Sequence, residues 1–208
     1  MSLLKKAIIV GKGKTAKHFK KKDHEHEILV AINQAAMFID YPDFIFANDI
    51  EGLHGITEEK FKNTKYLAIP EYPHYKLRSH SNIKFDIISD KCKNSLIIYN
   101  ICSCPNINYQ LIEIDKNIYI SNSMFPYIDH EVVSTGDTAM AFLAKFLNIK
   151  NFELYGIASK EEYHNNIMDG LSEENKKFSK TWDKEKINKV IKSINILKSK
   201  YNLEVKIN

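Results

Sequence analysis

The residues best suited to chemistry stand where short apolar runs end. Near the start, Lys6-Ala7-Ile8-Ile9-Val10-Gly11-Lys12-Gly13-Lys14-Thr15-Ala16 joins an apolar run to two glycines. The run reads as a buried strand, and a helix opening just after the glycines would aim its first amide N–H groups and its dipole at an anion. A phosphate compound is the expected ligand. Gly13-Lys14-Thr15 imitates the end of a Walker A loop, but Ile8 occupies the position that loop reserves for its first glycine. Gly11-x-Gly13-x-x-Ala16 fits the dinucleotide fingerprint better, except that Asn33 stands where an acidic residue would hold the ribose. An amide still hydrogen-bonds a sugar hydroxyl or a base edge, so a nucleotide fits better than a standard NAD.

Other strand ends carry polar residues too. Ile28-Leu29-Val30-Ala31-Ile32 runs into Asn33-Gln34, and Phe44-Ile45-Phe46-Ala47 runs into Asn48-Asp49-Ile50-Glu51. Open α/β sheets bind ligands at the carboxyl ends of their strands, so Gly11-Lys12-Gly13-Lys14-Thr15, Asn33-Gln34 and Asn48-Asp49-Ile50-Glu51 should converge on one crevice, with Gly11, Lys12, Gly13, Asn33, Gln34 and Asn48 binding the ligand. Further on, Ser134-Thr135-Gly136-Asp137 precedes apolar residues at Met140, Leu143, Phe146 and Leu147. That is a capped helix start, and Ser134, Thr135 and Gly136 would offer a second anion-binding N-terminus.

Composition sets the outer limits. The 208 residues, 44% hydrophobic and 27% charged, suffice for one substantial core and describe an ordinary globular chain. A net charge of +4 spread over scattered lysines lacks the clustering of a nucleic-acid groove, so no nucleic-acid partner is expected. Cys92, Cys102 and Cys104 fit neither a paired disulfide framework nor a zinc site, which points to reduced thiols and a cytoplasmic setting. The opening residues lack the apolar core of a signal peptide, and no run approaches the roughly 18 apolar residues of a membrane span. Peripheral association with a membrane surface stays open.

These sites require a framework to position them. After the glycine turn, a helix ending in Lys17-His18-Phe19-Lys20-Lys21-Lys22 is expected, then the strands from Ile28 and Phe44, a short helix at Thr57 to Lys62 and a strand at Lys65 to Ile69. Phe85 to Ile88, Leu96-Ile97-Ile98-Tyr99 and Asn117-Ile118-Tyr119-Ile120 read as further strands. Phe152 to Ile157 returns to the sheet. Residues 158–183 read as a lid, followed by a helix with Ile187, Val190, Ile191, Ile194 and Leu197 on one face and a last strand at Leu203 to Ile207. The expected fold is one Rossmann-like α/β domain over 1–208, with a mostly parallel sheet flanked by helices and a lid before the C-terminal helix.

Taken together, Ile8-Ile9-Val10-Gly11-Lys12-Gly13, Ala31-Ile32-Asn33-Gln34, the Asn48 strand end, Ser134-Thr135-Gly136 opening an alanine-rich helix, and Leu154-Tyr155-Gly156-Ile157 resemble the bacterial sialyltransferases of glycosyltransferase family 42. The resemblance runs from residue 6 to about 160. It implies a fold that holds cytidine monophosphate-linked sialic acid and transfers the sugar, without metal or other cofactor, to a surface glycan such as lipooligosaccharide or capsule. Gly11, Lys12, Asn33, Asn48, Thr135 and Gly136 would line the donor, and an oligomer is implied. Lys12 stands where the family has an asparagine, and Lys176 to Lys186 lacks the family's catalytic histidine.

Transfer to a hydroxyl needs a base, and the departing phosphate needs hydrogen-bond donors. Within the lid, His164 is the candidate base and Tyr163 the candidate phosphate partner. Two alternatives stand beside this reading. Tyr41-Pro42-Asp43 through Asn48-Asp49-Ile50-Glu51 also resembles the acidic turn of thiamin and pterin diphosphokinases, in which case Asp49 and Glu51 would hold magnesium for transfer from ATP. The other is a nucleotide-binding relative that has lost catalysis.

Overall fold

In the computed structural model, the described residues are 6–24, 27–48, 50–53, 55–70, 96–99, 111–115, 118–121, 133–158 and 184–208. The expected strand at Phe85 to Ile88 and the lid from 159 onward lie outside them. Nine strands form one sheet among the described residues: β1 (Lys6–Val10), β2 (Ile28–Ile32), β3 (Phe44–Phe46), β4 (Tyr66–Pro70), β5 (Leu96–Tyr99), β6 (Leu111–Asp115), β7 (Ile118–Ser121), β8 (Asn151–Tyr155) and β9 (Glu204–Ile207). Their order is β6-β7-β5-β4-β3-β2-β1-β8-β9. Neighbours pair in parallel, except that β6 runs antiparallel to β7. The chain therefore winds outward from β1 through β5, then returns to lay β8 on the other side of β1. This is the Rossmann-like α/β arrangement, and its topological switch point lies between β1 and β8.

Central strands of such a sheet are covered on both faces, so they need apolar residues without alternation. Ala7, Ile8, Ile9 and Val10 are all fully buried, which is why an unbroken apolar run was legible as a strand. One face is covered by α2 (Thr135–Phe146) and α3 (Lys184–Tyr201), following the short α1 (Glu58–Lys62) in chain order. There, Phe142 of α2 meets Phe46 edge to face at 5.3 Å between ring centres. Val190, Ile194 and Leu197 of α3 close the same core. The other face lies under shorter pieces carrying Ala16, Ala35, Ala36, Ile39, Leu53, Ile56 and Phe61. None of the helices among the described residues is long and apolar enough to cross a membrane.

The expected helix after the glycine turn is a correction. Lys14–His18 and Lys21–Asp23 are separate 3-10 turns, and Phe19 between them is extended. Only Ala16 and Phe19 in this stretch pack onto the sheet, with Phe19 the half-buried partner. Apolar residues three apart line up on a three-residue turn, whereas an α-helix needs a broader apolar stripe. The β6 strand is an addition that the sequence reading did not place.

Candidate functional site

The tip of β1 does not present its glycine amides to a ligand. Gly11 N–H donates to Tyr155 O at 2.8 Å and Gly13 N–H to Gly156 O at 2.9 Å, while Gly156 N–H donates to Thr15 Oγ1 at 2.7 Å. A Cβ on Gly13 would lie 2.6 Å from Gly156 O, so the glycines here serve close contact between two backbones. The expected cradle of N–H groups is corrected accordingly: these two donors are consumed in stitching β1 to β8. Ile157 fills the space beyond, with its side chain against both Gly11 and Gly136.

At the second expected anion site the chain supplies its own anion. Ser134 and Asp137 form a capping box at the start of α2. The Asp137 carboxylate, 1% exposed, accepts from Ser134 N–H at 2.7 Å, Ser134 O–H at 2.6 Å, Val133 N–H at 3.1 Å and the buried Ser193 hydroxyl of α3. The helix dipole is thus met from within by a carboxylate. Ser134 and Thr135 are buried, and Asn48 Nδ2 donates to Thr138 Oγ1 at 3.0 Å, tying the end of β3 to the first turn of α2. Removing the cap with Ser134→Ala is expected to lower stability by about 1–2 kcal/mol in urea denaturation.

Side chains, not glycine amides, offer recognition chemistry at this edge. Lys12 Nζ donates to Gln34 Oε1 at 2.6 Å, joining the tips of β1 and β2. That bond fixes the Gln34 amide, since a flip would set its NH2 against the ammonium. Gln34 is 1% exposed, and its Nε2 is buried without a hydrogen-bond partner among the described residues. Asn33 Oδ1 is likewise buried without a partner among them. Asn33 adopts φ 54°, and its Oδ1 crowds Gly52, whose Cβ would lie 2.4 Å away. A buried donor left unpaired costs about 1–3 kcal/mol. Two such atoms in adjacent residues beside a lysine set this edge apart from the satisfied core.

No protein-family model, curated protein or solved structure matches this chain. The assignment of the site therefore rests on these residues and their geometry.

Of the residues singled out from sequence, Lys12 with Gln34, Gly11 with Gly136 across Ile157, and Gly13 with Gly156 come together at the carboxyl edge. Asn48 joins them through α2. His164, Tyr163 and Asp49 lie outside the described residues, as does the side chain of Glu51. Sequence reasoning missed Thr138 and Ser193 as structural partners. Ser134-x-x-Asp137 was the readable sign of the capping box. The partnership of Ser193 lies across the fold and left no local trace.

Proposed function

We propose that this chain is a glycosyltransferase of the sialyltransferase type, holding a cytidine monophosphate-linked sialic acid or related sugar at the carboxyl edge of β1, β2 and β3 and passing the sugar to a surface glycan. The observation that carries this reading is the meeting of Lys12 with the amide side chain of Gln34, next to Asn33, at the carboxyl edge of the sheet, where one amide atom of each lacks a partner among the described residues. One acceptor, one donor and one cation match the hydroxyl or base edge and the phosphate of a nucleotide-sugar. The stitched glycines and Ile157 give that edge a rigid floor.

In the reaction, His164 takes the proton of the acceptor hydroxyl, whose oxygen then bonds the anomeric carbon. The bond from that carbon to phosphate oxygen breaks, and the cytidine monophosphate leaves with the electron pair. Lys12 and Tyr163 stabilise the departing phosphate. The acceptor is a glycan, and no metal enters this scheme.

Thermal unfolding with CMP, CDP, UDP, GDP and ATP, each with and without magnesium, tests the binding half. A ligand at about 100 times its Kd contributes roughly 2.7 kcal/mol, or about 5–10 °C in a chain of this size. The expected result is a CMP-selective rise independent of magnesium that Lys12→Ala largely removes, the ligand-free midpoint of that variant falling by about 2–10 °C because Gln34 Oε1 loses its donor. A rise that requires ATP with magnesium would replace this proposal with the diphosphokinase reading. Release of CMP from the sugar donor only when a glycan acceptor is present tests the transfer half.

A further inference from the structure

The sheet order ends on β9, whose outer side meets no strand among the described residues. A parallel ladder uses every second residue of a strand, so the bonds to β8 decide which way each β9 amide points. Glu204 N–H donates to Lys150 O and Asn208 N–H to Leu154 O, both at 2.9 Å. Glu204, Lys206 and Asn208 therefore turn their backbone groups toward β8, and Val205 and Ile207 turn theirs outward. Side chains alternate between the two faces. Val205 packs against the core beneath α2 and α3, and Ile207 on the same face is 39% exposed. Glu204 and Lys206 stand exposed on the other face.

An edge of this kind is a template for another strand, and its charges narrow what can pair with it. Opposed residues of an antiparallel pair alternate between those that exchange backbone bonds and those that do not, so outward-facing residues must meet outward-facing residues. Two copies of β9 then have few registers to choose from. Val205 opposite Leu203 sets Glu204 against Glu204, and Val205 opposite Ile207 sets Lys206 against Lys206. Ile207 opposite Ile207 matches Lys206 with Asn208 and pairs no opposite charges. Val205 opposite Val205 sets Glu204 against Lys206 twice, by symmetry, at the positions where opposed side chains come closest.

We propose that β9 is a homodimer edge: a second copy of this chain pairs with it antiparallel about a two-fold axis at Val205, joining the two sheets into one. Val205 N–H and C=O exchange bonds with Val205 of the second copy, and Ile207 N–H donates to its Leu203 O. Leu203 N–H is already held by Lys198 O at 3.0 Å, so only its carbonyl is needed there. Lys206 Nζ keeps its 2.7 Å bond to Glu153 Oε1 and has further hydrogens for Glu204 of the second copy. The exposed Ile207 is covered against Leu203. Both copies use the same strand, so the assembly closes at two.

Sedimentation velocity on the full chain over a dilution series should show a species of twice the monomer mass at the concentrated end. Val205→Pro removes the outward N–H at the axis and leaves the bonds to β8 in place, a position where an edge strand tolerates proline. That variant should sediment as the monomer with its far-ultraviolet circular dichroism unchanged. Glu204→Lys, at an exposed position, serves should the proline variant not fold. It sets lysine against Lys206 in both pairs and should weaken the dimer about tenfold or more at low salt, with part of the loss recovered at high salt. A wild type that stays monomeric throughout the series, or a dimer that either folded variant retains at wild-type strength, would overturn the proposal.

Discussion

Gly156→Ala is expected to destabilise the protein by about 3–4 kcal/mol, seen as a lower midpoint in urea denaturation with an unchanged slope. Gly156 sits at φ +64°, a left-handed conformation that costs a residue with a Cβ roughly 1–2 kcal/mol. The new methyl would also lie 2.7 Å from Gly13 N, 2.8 Å from Gly13 O and 2.9 Å from Gly11 O. All three are backbone atoms, and Gly13 N and Gly13 O are both held by hydrogen bonds, so relief requires β1 and β8 to part at the switch point. Gly136→Ala is the control. Its methyl would meet the Ile157 side chain, Cδ1 at 2.8 Å and Cγ2 at 3.2 Å, rather than backbone, and alanine favours the helix by about 1 kcal/mol over glycine. That variant should stay within about 1 kcal/mol of wild type. Equal losses in the two would show that the backbone stitch is not what makes Gly156 indispensable.

Glu153→Gln should cost about 2 kcal/mol at neutral pH and much less in acid. The Glu153 side chain is 6% exposed, and burial by itself opposes its charge. Bonds from Lys206, Lys6, Tyr155 and Asn208 outweigh burial and hold the carboxyl well below its ordinary range. Burial and the Glu153 carboxylate together push the Tyr155 hydroxyl up to about 12, so it remains a donor. Burial pulls Lys6 down, but the bonds to Glu153 and Glu27 raise it on balance. A glutamine cannot satisfy this set, because its NH2 must face Lys6 or the three donors on the other oxygen. The loss is moderated by Lys206, whose side chain is 68% exposed and regains water. A carboxylate with a depressed folded pKa contributes stability above its unfolded value, 4.5, and loses it as pH falls toward the folded one. Urea denaturation at pH 7 and at about pH 3.5 should therefore show the two proteins converging in acid. A difference that persists undiminished would mean the variant suffers from packing and not from charge.

Legibility differed from element to element for identifiable reasons. β1 and β2 were readable because both faces are buried and, after Lys6, every residue had to be apolar. α2 and α3 were readable because one covers the sheet with a cap in front of it and the other carries a spaced apolar stripe. β6, at the sheet edge and antiparallel to its neighbour, left a weaker pattern. The first connection misled because two glycines before a lysine-rich stretch look alike whether they cradle a phosphate or press against another loop. Glu153 stood as one acidic residue in Phe152-Glu153-Leu154-Tyr155, and nothing nearby disclosed its partners Lys6 and Lys206.

What the amino-acid sequence determined by itself was the class of fold and the edge at which polar side chains gather, because periodicity and strand-end chemistry are local properties. Only the tertiary structure decided what the glycines do, since Gly13 and Gly156 are far apart in the chain and their meeting depends on β8 returning beside β1. The same return brings Glu153 to Lys6 and lays His24 on Tyr155. Hydrogen bonds and ion pairs between distant residues carry no local period, so they are read in space or not at all.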